Sequence, residues 1–229
     1  MILFIGKGLL GKPLFDAILT RADEDVRLFQ GNMCSEHDRI WNLQFGKVTT
    51  IVNCAGLVQA KTEEEIVRAT AVNLGAVEAL CRLCLARDIK LVHLSTEYVF
   101  GGEGHSYRPF ASWDDLSPDP RCYYGVIKAE ADKRVRRLLN SLILRPSVMP
   151  EPFRYDKAYT DVISSKVTVE EACHRMANTI VENQYGTVHI CGKPRSIYEF
   201  VNDEFGQEVE GIPAPPAWRA SHPMYTAMQ

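Results

Sequence analysis

At 229 residues, with 46% hydrophobic and 24% charged side chains, the chain is long enough to bury a full core and fits one ordinary globular domain, which excludes a disordered or fibrous protein. A formal net charge of -3, with Lys and Arg scattered along the chain, excludes the basic field of a nucleic-acid polymer binder. Seven cysteines, odd in number and irregular in spacing, sit partly inside apolar runs and point to a reducing compartment.

Ile2 to Ile5 is an apolar run ending in glycines, and Leu9 to Thr20 has helical spacing through Leu10, Leu14, Phe15 and Ile18, so the chain opens strand, tight turn, helix. Further strands are expected at Val26 to Phe29, Thr49 to Asn53, Lys90 to Leu94, Leu142 to Leu144 and Thr187 to Ile190. Helical patterns lie between them at about 63–87, 122–139 and 168–183, the last with Thr168 as N-cap and Glu171 as its capping-box partner. Strands alternating with helices predict an α/β fold of Rossmann type, a doubly wound parallel sheet covered on both faces. Cys81 and Cys84 form a C-x-x-C inside a helical pattern with no second pair, so they read as core packing and no metal is expected. Glu63, Glu64 and Glu65 suit the dipole of a helix start. From about Gly206 the prolines at 213, 215 and 216 predict an extended tail, loose or wrapped over the body. No run approaches the roughly 20 apolar residues of a membrane span. With a strand beginning at residue 2, no signal peptide and no membrane partner are expected, and the location is read as cytoplasmic.

Four stretches carry chemistry. In Gly6-Lys7-Gly8-Leu9-Leu10-Gly11, Gly6 permits the tight turn, Gly8 lets a pyrophosphate approach the backbone, and Gly11 lets helix and strand pack, with helix amides facing the anion. Asn53-Cys54-Ala55-Gly56 closes a strand with small residues against which a cofactor can lie. In Leu94-Ser95-Thr96-Glu97-Tyr98-Val99-Phe100-Gly101-Gly102 a strand runs out into hydroxyls at the crevice of such a sheet. Finally, Tyr124 and Lys128 are four apart in a helical pattern and share a face, where an ammonium would favour the ionised phenol and make it a usable proton donor or acceptor.

The ordered set of glycine loop, Asn-Cys-Ala-Gly, Asn73 in the next helix, Ser-Thr-Glu-Tyr-Val-Phe and Tyr-x-x-x-Lys resembles the extended short-chain dehydrogenase/reductases. STEYVFGG is similar to the dTDP-4-dehydrorhamnose reductases among them, and the likeness covers about residues 1–205. It implies Thr96 and Tyr124 as hydrogen-bond and proton donors to a substrate carbonyl, with Lys128 binding the nicotinamide ribose and lowering the tyrosine pKa. It implies a dinucleotide held by Gly6, Lys7, Gly8, Leu9, Leu10, Gly11, Asn53, Cys54, Ala55, Gly56, Asn73, Tyr124, Lys128 and, in Arg145-Pro146-Ser147, by Ser147. The substrate would be a nucleotide-linked 4-keto-6-deoxy sugar, reduced at C4 and lined by Glu97 and Tyr98. The 4,6-dehydratases carry Asp-Glu after the threonine, where this chain has Glu97-Tyr98, so dehydration is disfavoured. An epimerase-reductase would need a further acid/base pair, for which Cys122 and His105 are the candidates.

The chain also departs from the family. Its glycine spacing is one residue shorter than the usual G-x-x-G-x-x-G, and residues 29–32 (Phe-Gln-Gly-Asn) lack the ribose-gripping acid, which with Lys7 favours NADPH over NADH. Only about 18 residues separate the second strand from the third, so one strand of the usual half is expected to be short or missing. About 16 residues lie between Pro150 and Val167, where relatives build much of their sugar pocket. The expected layout is therefore a core at 1–150, a shortened substrate-binding region at 151–205 and a tail at 206–229, with Arg219 offering a group for the diphosphate. A rival reading is an NADP-binding regulatory subunit of a partner enzyme. The helices at 73–87 and 124–139 would serve a homodimer, by analogy with relatives.

Overall fold

Alternate residues of the first strand face opposite sides of a sheet, and both sides are apolar: Ile2 and Phe4 on one, Leu3 and Ile5 on the other, all buried. A strand with two apolar faces must lie inside a sheet covered on both sides. In the computed structural model, which describes residues 1–29, 47–101, 122–226 and 228, this is what forms.

β1 (Ile2–Ile5), β2 (Val26–Leu28), β3 (Thr50–Asn53), β4 (Lys90–Leu94) and β5 (Ser141–Pro146) are followed by the short strands β6 (Val148–Met149), β7 (Lys157–Tyr159), β8 (Ile163–Ser164) and β9 (Val167–Thr168). β10 (Gly186–Ile190), β11 (Arg195–Ser196), β12 (Glu210–Ile212) and β13 (Tyr225–Thr226) complete the set. The helices are α1 (Gly11–Leu19), α2 (Glu63–Thr70), α3 (Ala76–Arg87), α4 (Tyr123–Val135), α5 (Val169–Val181), α6 (Ile197–Phe205) and α7 (Pro216–Ser221). The central sheet has six strands in the order β10-β5-β4-β3-β1-β2, every pair parallel. Leu14 and Ile18 of α1 and Met176, Ala177 and Ile180 of α5 pack on one face; Leu80 and Leu83 of α3 and Ala131 and Val135 of α4 cover the other. β1 has β2 on one side and β3 on the other, so the chain reverses direction there and a crevice opens at the carboxyl ends of β1 and β3.

The expected strands and helices are present with ends shifted by a few residues. Where the sequence suggested a reciprocal capping box at Thr168, only half forms: Thr168 Oγ1 accepts from the Glu171 amide at 3.1 Å, while the Glu171 carboxylate turns to Arg175. Full boxes lie elsewhere, at Thr62 with Glu65, the third residue of the acidic run, and at Ser196 with Glu199. Glu63–Arg87 runs as one helical stretch of 25 residues that is long and apolar enough for a membrane span, against the expectation from single runs, yet half of its most apolar window is buried against the protein. Cys84 lies in the core and Cys81 packs at its edge; burial pushes their thiols up to about 12 and about 11. The residues after β2 that bear on cofactor choice, any further strand between β2 and β3, Gly102 and His105 lie outside the described residues.

Residues 206–226 are more structured than an extended tail. β12 joins β7, the prolines at 213 and 215 stay extended, and Pro216 starts α7 at a position where its missing N–H costs nothing. β13 then pairs with β8, so the segment wraps back over the body. A small core of Ala158, Val162, Ile197, Val201 and Ala214 ties it down.

Candidate active site

The glycine loop divides into two jobs. Gly6 has φ +90° and an added Cβ would lie 2.5 Å from the Ala55 amide nitrogen; at Gly11 it would lie 2.2 Å from the Gly6 carbonyl oxygen. Both positions are closed by packing. At Gly8 a Cβ would meet nothing within 4 Å, so this residue borders open space at the crevice. Leu10, at the N-cap of α1, makes no side-chain capping bond, and the first turn carries no acid. In the first turn the Lys12 amide donates to the Gly8 carbonyl at 3.3 Å and Pro13 has none, so an anion would meet the positive dipole end and the amides before Lys12, and a dinucleotide phosphate fits those groups. Lys7 and Leu9 are exposed on the same loop, Leu10 is half-buried, and Gly11 is covered.

Across the crevice, the loop after β3 is held from below. Asn53 is buried and its Oδ1 accepts from the Ala55 amide at 3.2 Å. Cys54 sits against Gly11, its thiol pushed far up by burial, and Gly56 is exposed. Asn73 has no exposed surface: its Oδ1 accepts from the Leu57 amide at 2.9 Å and its Nδ2 donates to the Leu57 carbonyl at 2.8 Å. It stands in a π turn, Ala71–Gly75, where the widened helix aims the amide at the loop. Asn53 and Asn73 therefore brace the loop after β3 through its backbone at Ala55 and Leu57.

β4 ends in Thr96, which caps the 3-10 turn Glu97–Val99 by accepting from the Tyr98 amide at 3.2 Å. That bond occupies an oxygen lone pair and leaves the hydroxyl proton for another acceptor. On α4, Cys122 Sγ caps the first turn through the Gly125 amide, a structural use of the thiol. Tyr124 is half-buried and its ring meets Tyr98 edge to face, centroids 6.5 Å apart. Burial first, then Cys122, Asp132 and Tyr98, hold its phenol above the ordinary value. The expected lowering by Lys128 is not what the structure gives, because Lys128 is directed elsewhere: Nζ lies 2.5 Å from the Leu94 carbonyl oxygen and 3.0 Å from His93 Nε2.

Ser147 and Arg219 differ from their expected roles, while Glu97 lines the adjoining cavity as expected with its carboxylate bonded inward. Ser147 is fully buried and donates to Glu97 Oε2 at 2.6 Å, so it braces that carboxylate instead of reaching a cofactor. Glu97 is itself 2% exposed; its Oε2 also accepts from Ser164 at 2.6 Å and Thr226 at 2.7 Å, and Oε1 pairs with Lys166. Burial alone would raise this carboxyl, but Lys166 and the serine hydroxyls outweigh it and hold it below the usual value. Arg219 is bonded to the Ala214 carbonyl at 2.7 Å and to Asp161, and it is not among the walls of the adjoining cavity.

That cavity, about 870 Å³, opens where β4 ends. Glu97, Tyr98 and Lys166 form its inner end, Arg154 and Tyr159 come from the 151–166 segment, and Trp218 comes from α7. Lys166 and Arg154 were missed in the sequence reading; Trp218 stands in the same tail stretch as Arg219, but only its tilted contact with Tyr159, at 5.0 Å between centroids, shows that it and not the arginine faces the cavity.

A doubly wound parallel sheet with a glycine-loop anion site, and a Tyr-x-x-x-Lys helix at its crevice, defines a dinucleotide-binding α/β protein. Within that class the chain belongs to the RmlD substrate-binding domain family, whose family model matches residues 2–191. It is 33% identical over 141 residues to a dTDP-4-keto-6-deoxy-D-glucose reductase of Streptomyces niveus, covering 60% of this chain and 45% of that protein. It is 39% identical over 113 residues to a dTDP-4-dehydrorhamnose reductase of Mycolicibacterium smegmatis, covering 48% of this chain and 34% of that one. The matched stretch thus spans less than half the length of these relatives. In fold, the chain superposes over its whole length on 89% of a dTDP-4-dehydrorhamnose reductase from Yersinia enterocolitica, with a TM-score of 0.81 and 23% identity. The corresponding enzyme from Bacillus anthracis, solved in complex with NADP, gives a TM-score of 0.80 at 22% identity, covering 100% of this chain and 89% of that one.

Proposed function

We propose that this protein reduces the 4-keto group of a nucleotide-activated 4-keto-6-deoxy sugar, using NADPH, with NADH as the second candidate donor. Three observations support the reading: open space at Gly8 after β1, a Thr96 hydroxyl at the end of β4 whose proton is not used in its bond from the Tyr98 amide, and Tyr124 set against Tyr98 of the adjoining cavity with its phenol held above the ordinary value. The relatives named as reductases of such sugars supply the substrate class. A reduced dinucleotide with its phosphates held at Gly6–Gly11 would supply the hydride for the carbonyl carbon. Thr96 donates a hydrogen bond to the carbonyl oxygen, and Tyr124 gives that oxygen its proton as the alkoxide develops. A phenol held above its ordinary value is suited to this direction, since it stays protonated until the oxygen becomes basic. Tyr98 and Trp218 offer aromatic walls for sugar and base, and the Arg154 guanidinium, with no partner among the described residues, suits a diphosphate. The cytoplasm is the proposed place of action.

The test is NADPH and, separately, NADH oxidation followed by absorbance with dTDP-4-keto-6-deoxy sugars. Tyr124→Phe is expected to lower turnover by about 10²–10⁴-fold while cofactor affinity is kept. Wild-type turnover in that variant would remove the mechanism, and cofactor binding without turnover on any keto-sugar would transfer the reading to a regulatory subunit.

A further inference from the structure

Behind Tyr124, the same face of α4 carries Lys128 and then Asp132, each four residues on. Both are buried, and β4 sets His93, with no exposed surface, against them. Two contacts of Lys128 are given above, to the Leu94 carbonyl and to His93 Nε2. On its other side, His93 Nδ1 lies 3.3 Å from Asn53 Nδ2.

The proton positions in this run follow from donor and acceptor chemistry. The Ala55 amide can only donate, and its acceptor is Asn53 Oδ1, so the Asn53 NH2 must face His93. An amide NH2 also only donates, so His93 Nδ1 carries no proton. A neutral imidazole with Nδ1 bare carries its hydrogen on Nε2, and that N–H points at Lys128 Nζ. It needs a lone pair there. An ammonium has none and a neutral amine has one, while the amine's own N–H still serves the Leu94 carbonyl.

The other titratable groups acting on Lys128 are Asp132 on its own helix and Cys54 after β3. Asp132 and Cys54 favour the charged form. Asp132 Oδ2, however, is taken up by Arg145 at 3.0 and 3.1 Å and by Ser95 at 2.9 Å, and its Oδ1 lies 4.0 Å from His93 Nε2. Burial prevails and pulls Lys128 down to about 8; burial, then Lys128, holds His93 well below the ordinary imidazole value.

We propose that His93 is a positioning residue that parks Lys128 as a neutral amine turned away from the crevice, and that binding of an anionic dinucleotide makes the amine take up one proton, leave His93 and turn toward Tyr124. This rests on the cofactor reading above. The nitrogen lone pair accepts a proton from solvent, and with the lone pair gone the Nε2–H contact has nothing to hold it. The ammonium then stands where it can favour the ionised phenol, an influence absent from Tyr124 in the present structure.

The first experiment needs no cofactor. Long-range 1H–15N spectra of histidine-labelled protein at pH 9, with His93→Gln to assign the signal, are expected to show His93 neutral with Nδ1 bare and Nε2 protonated. The opposite tautomer, or an imidazolium, overturns the proposal. The second is calorimetry of NADP+ binding across pH 6–10 in buffers of different ionisation enthalpy. Wild-type protein is expected to take up a proton on binding above about pH 8, its affinity falling by up to tenfold per pH unit there, and to take up none at pH 6. Lys128→Met should lose both the uptake and the slope. His93→Leu, lacking the donor to the neutral amine, should move the onset to higher pH, and a slope unchanged in either variant overturns the proposal. If His93→Leu does not fold, the wild-type tautomer decides; if NADP+ does not bind at any pH, the cofactor reading fails while the tautomer still decides.

Discussion

Around the cofactor end of the crevice, the wall is shaped by close backbone approaches, two of them short in sequence: Gly11 packs on Gly6, Asn53 bonds Ala55 two residues away, and Gly6, just after β1, packs on the Ala55 backbone just after β3. Around the substrate end, Glu97 gathers Ser147, Ser164, Lys166 and Thr226 from 50, 67, 69 and 129 residues away. The first region is specified by how closely backbone must approach backbone, the second by one buried carboxylate that needs partners wherever the fold can bring them. The two should therefore break differently.

The largest effect is expected from Gly6→Ala. A side chain at φ +90° with its Cβ 2.5 Å from the Ala55 backbone strains and clashes at once, and a loss of at least roughly 3 kcal/mol, or failure to fold, should appear in urea unfolding. Gly8→Ala sharpens the point: with nothing within 4 Å, stability should stay within about 0.5 kcal/mol of wild type while NADP+ affinity falls. Equal loss of stability in both variants would mean that the loop is only a turn.

Next comes the substrate end. Glu97→Gln leaves the Lys166 ammonium buried without its counter-charge, for an expected loss of about 3–5 kcal/mol, much of it recovered in Glu97→Gln with Lys166→Met. The pair also fixes an acid limb. Its carboxyl lies below the ordinary 4.5 in the folded protein, so its contribution is fully present above that value and is lost as pH falls through the lowered one. The double variant should flatten that limb in a stability-versus-pH series. Thr226→Val, which removes one hydroxyl from the same carboxylate, should cost about 1.5–3 kcal/mol and loosen the C-terminal strand.

This division also explains what the sequence disclosed. The central sheet, its covering helices and the glycine loop follow from apolar periodicity and from short-range glycine spacing, so they were legible, as was the shared face of Tyr124 and Lys128. The direction of Lys128 was not, because it depends on His93 across 35 residues of chain. Glu97 read as a substrate contact since nothing in STEYVF announces a lysine 69 residues later, and Ser147 read as a cofactor contact for the same reason. The C-terminal proline run suggested only extension; that it ends at a helix start and returns as β13 depends on β7 and β8, which are two or three residues long and carry no periodic signal.

The smallest effect is expected where the sequence pointed most plausibly to a ligand group. Arg219 has the chemistry to hold a diphosphate, but its Nε is bonded to the carbonyl of buried Ala214 and its outer nitrogen to Asp161, in an ion pair whose two side chains are 44% and 32% exposed. Such a pair contributes less than about 1 kcal/mol, so Arg219→Ala should shift stability slightly and leave KM for a nucleotide sugar unchanged. Trp218, one residue before it, faces the cavity, meets Tyr159 at a tilt of 55° and stacks on His222 with ring planes 8° apart. Trp218→Ala should raise KM with little change in kcat, since the wall it forms touches the part of the substrate remote from the reacting carbon. If Arg219→Ala raises KM and Trp218→Ala does not, the guanidinium must leave Asp161 when substrate arrives, and the C-terminal segment would belong to the binding site through its charge instead of its aromatic face.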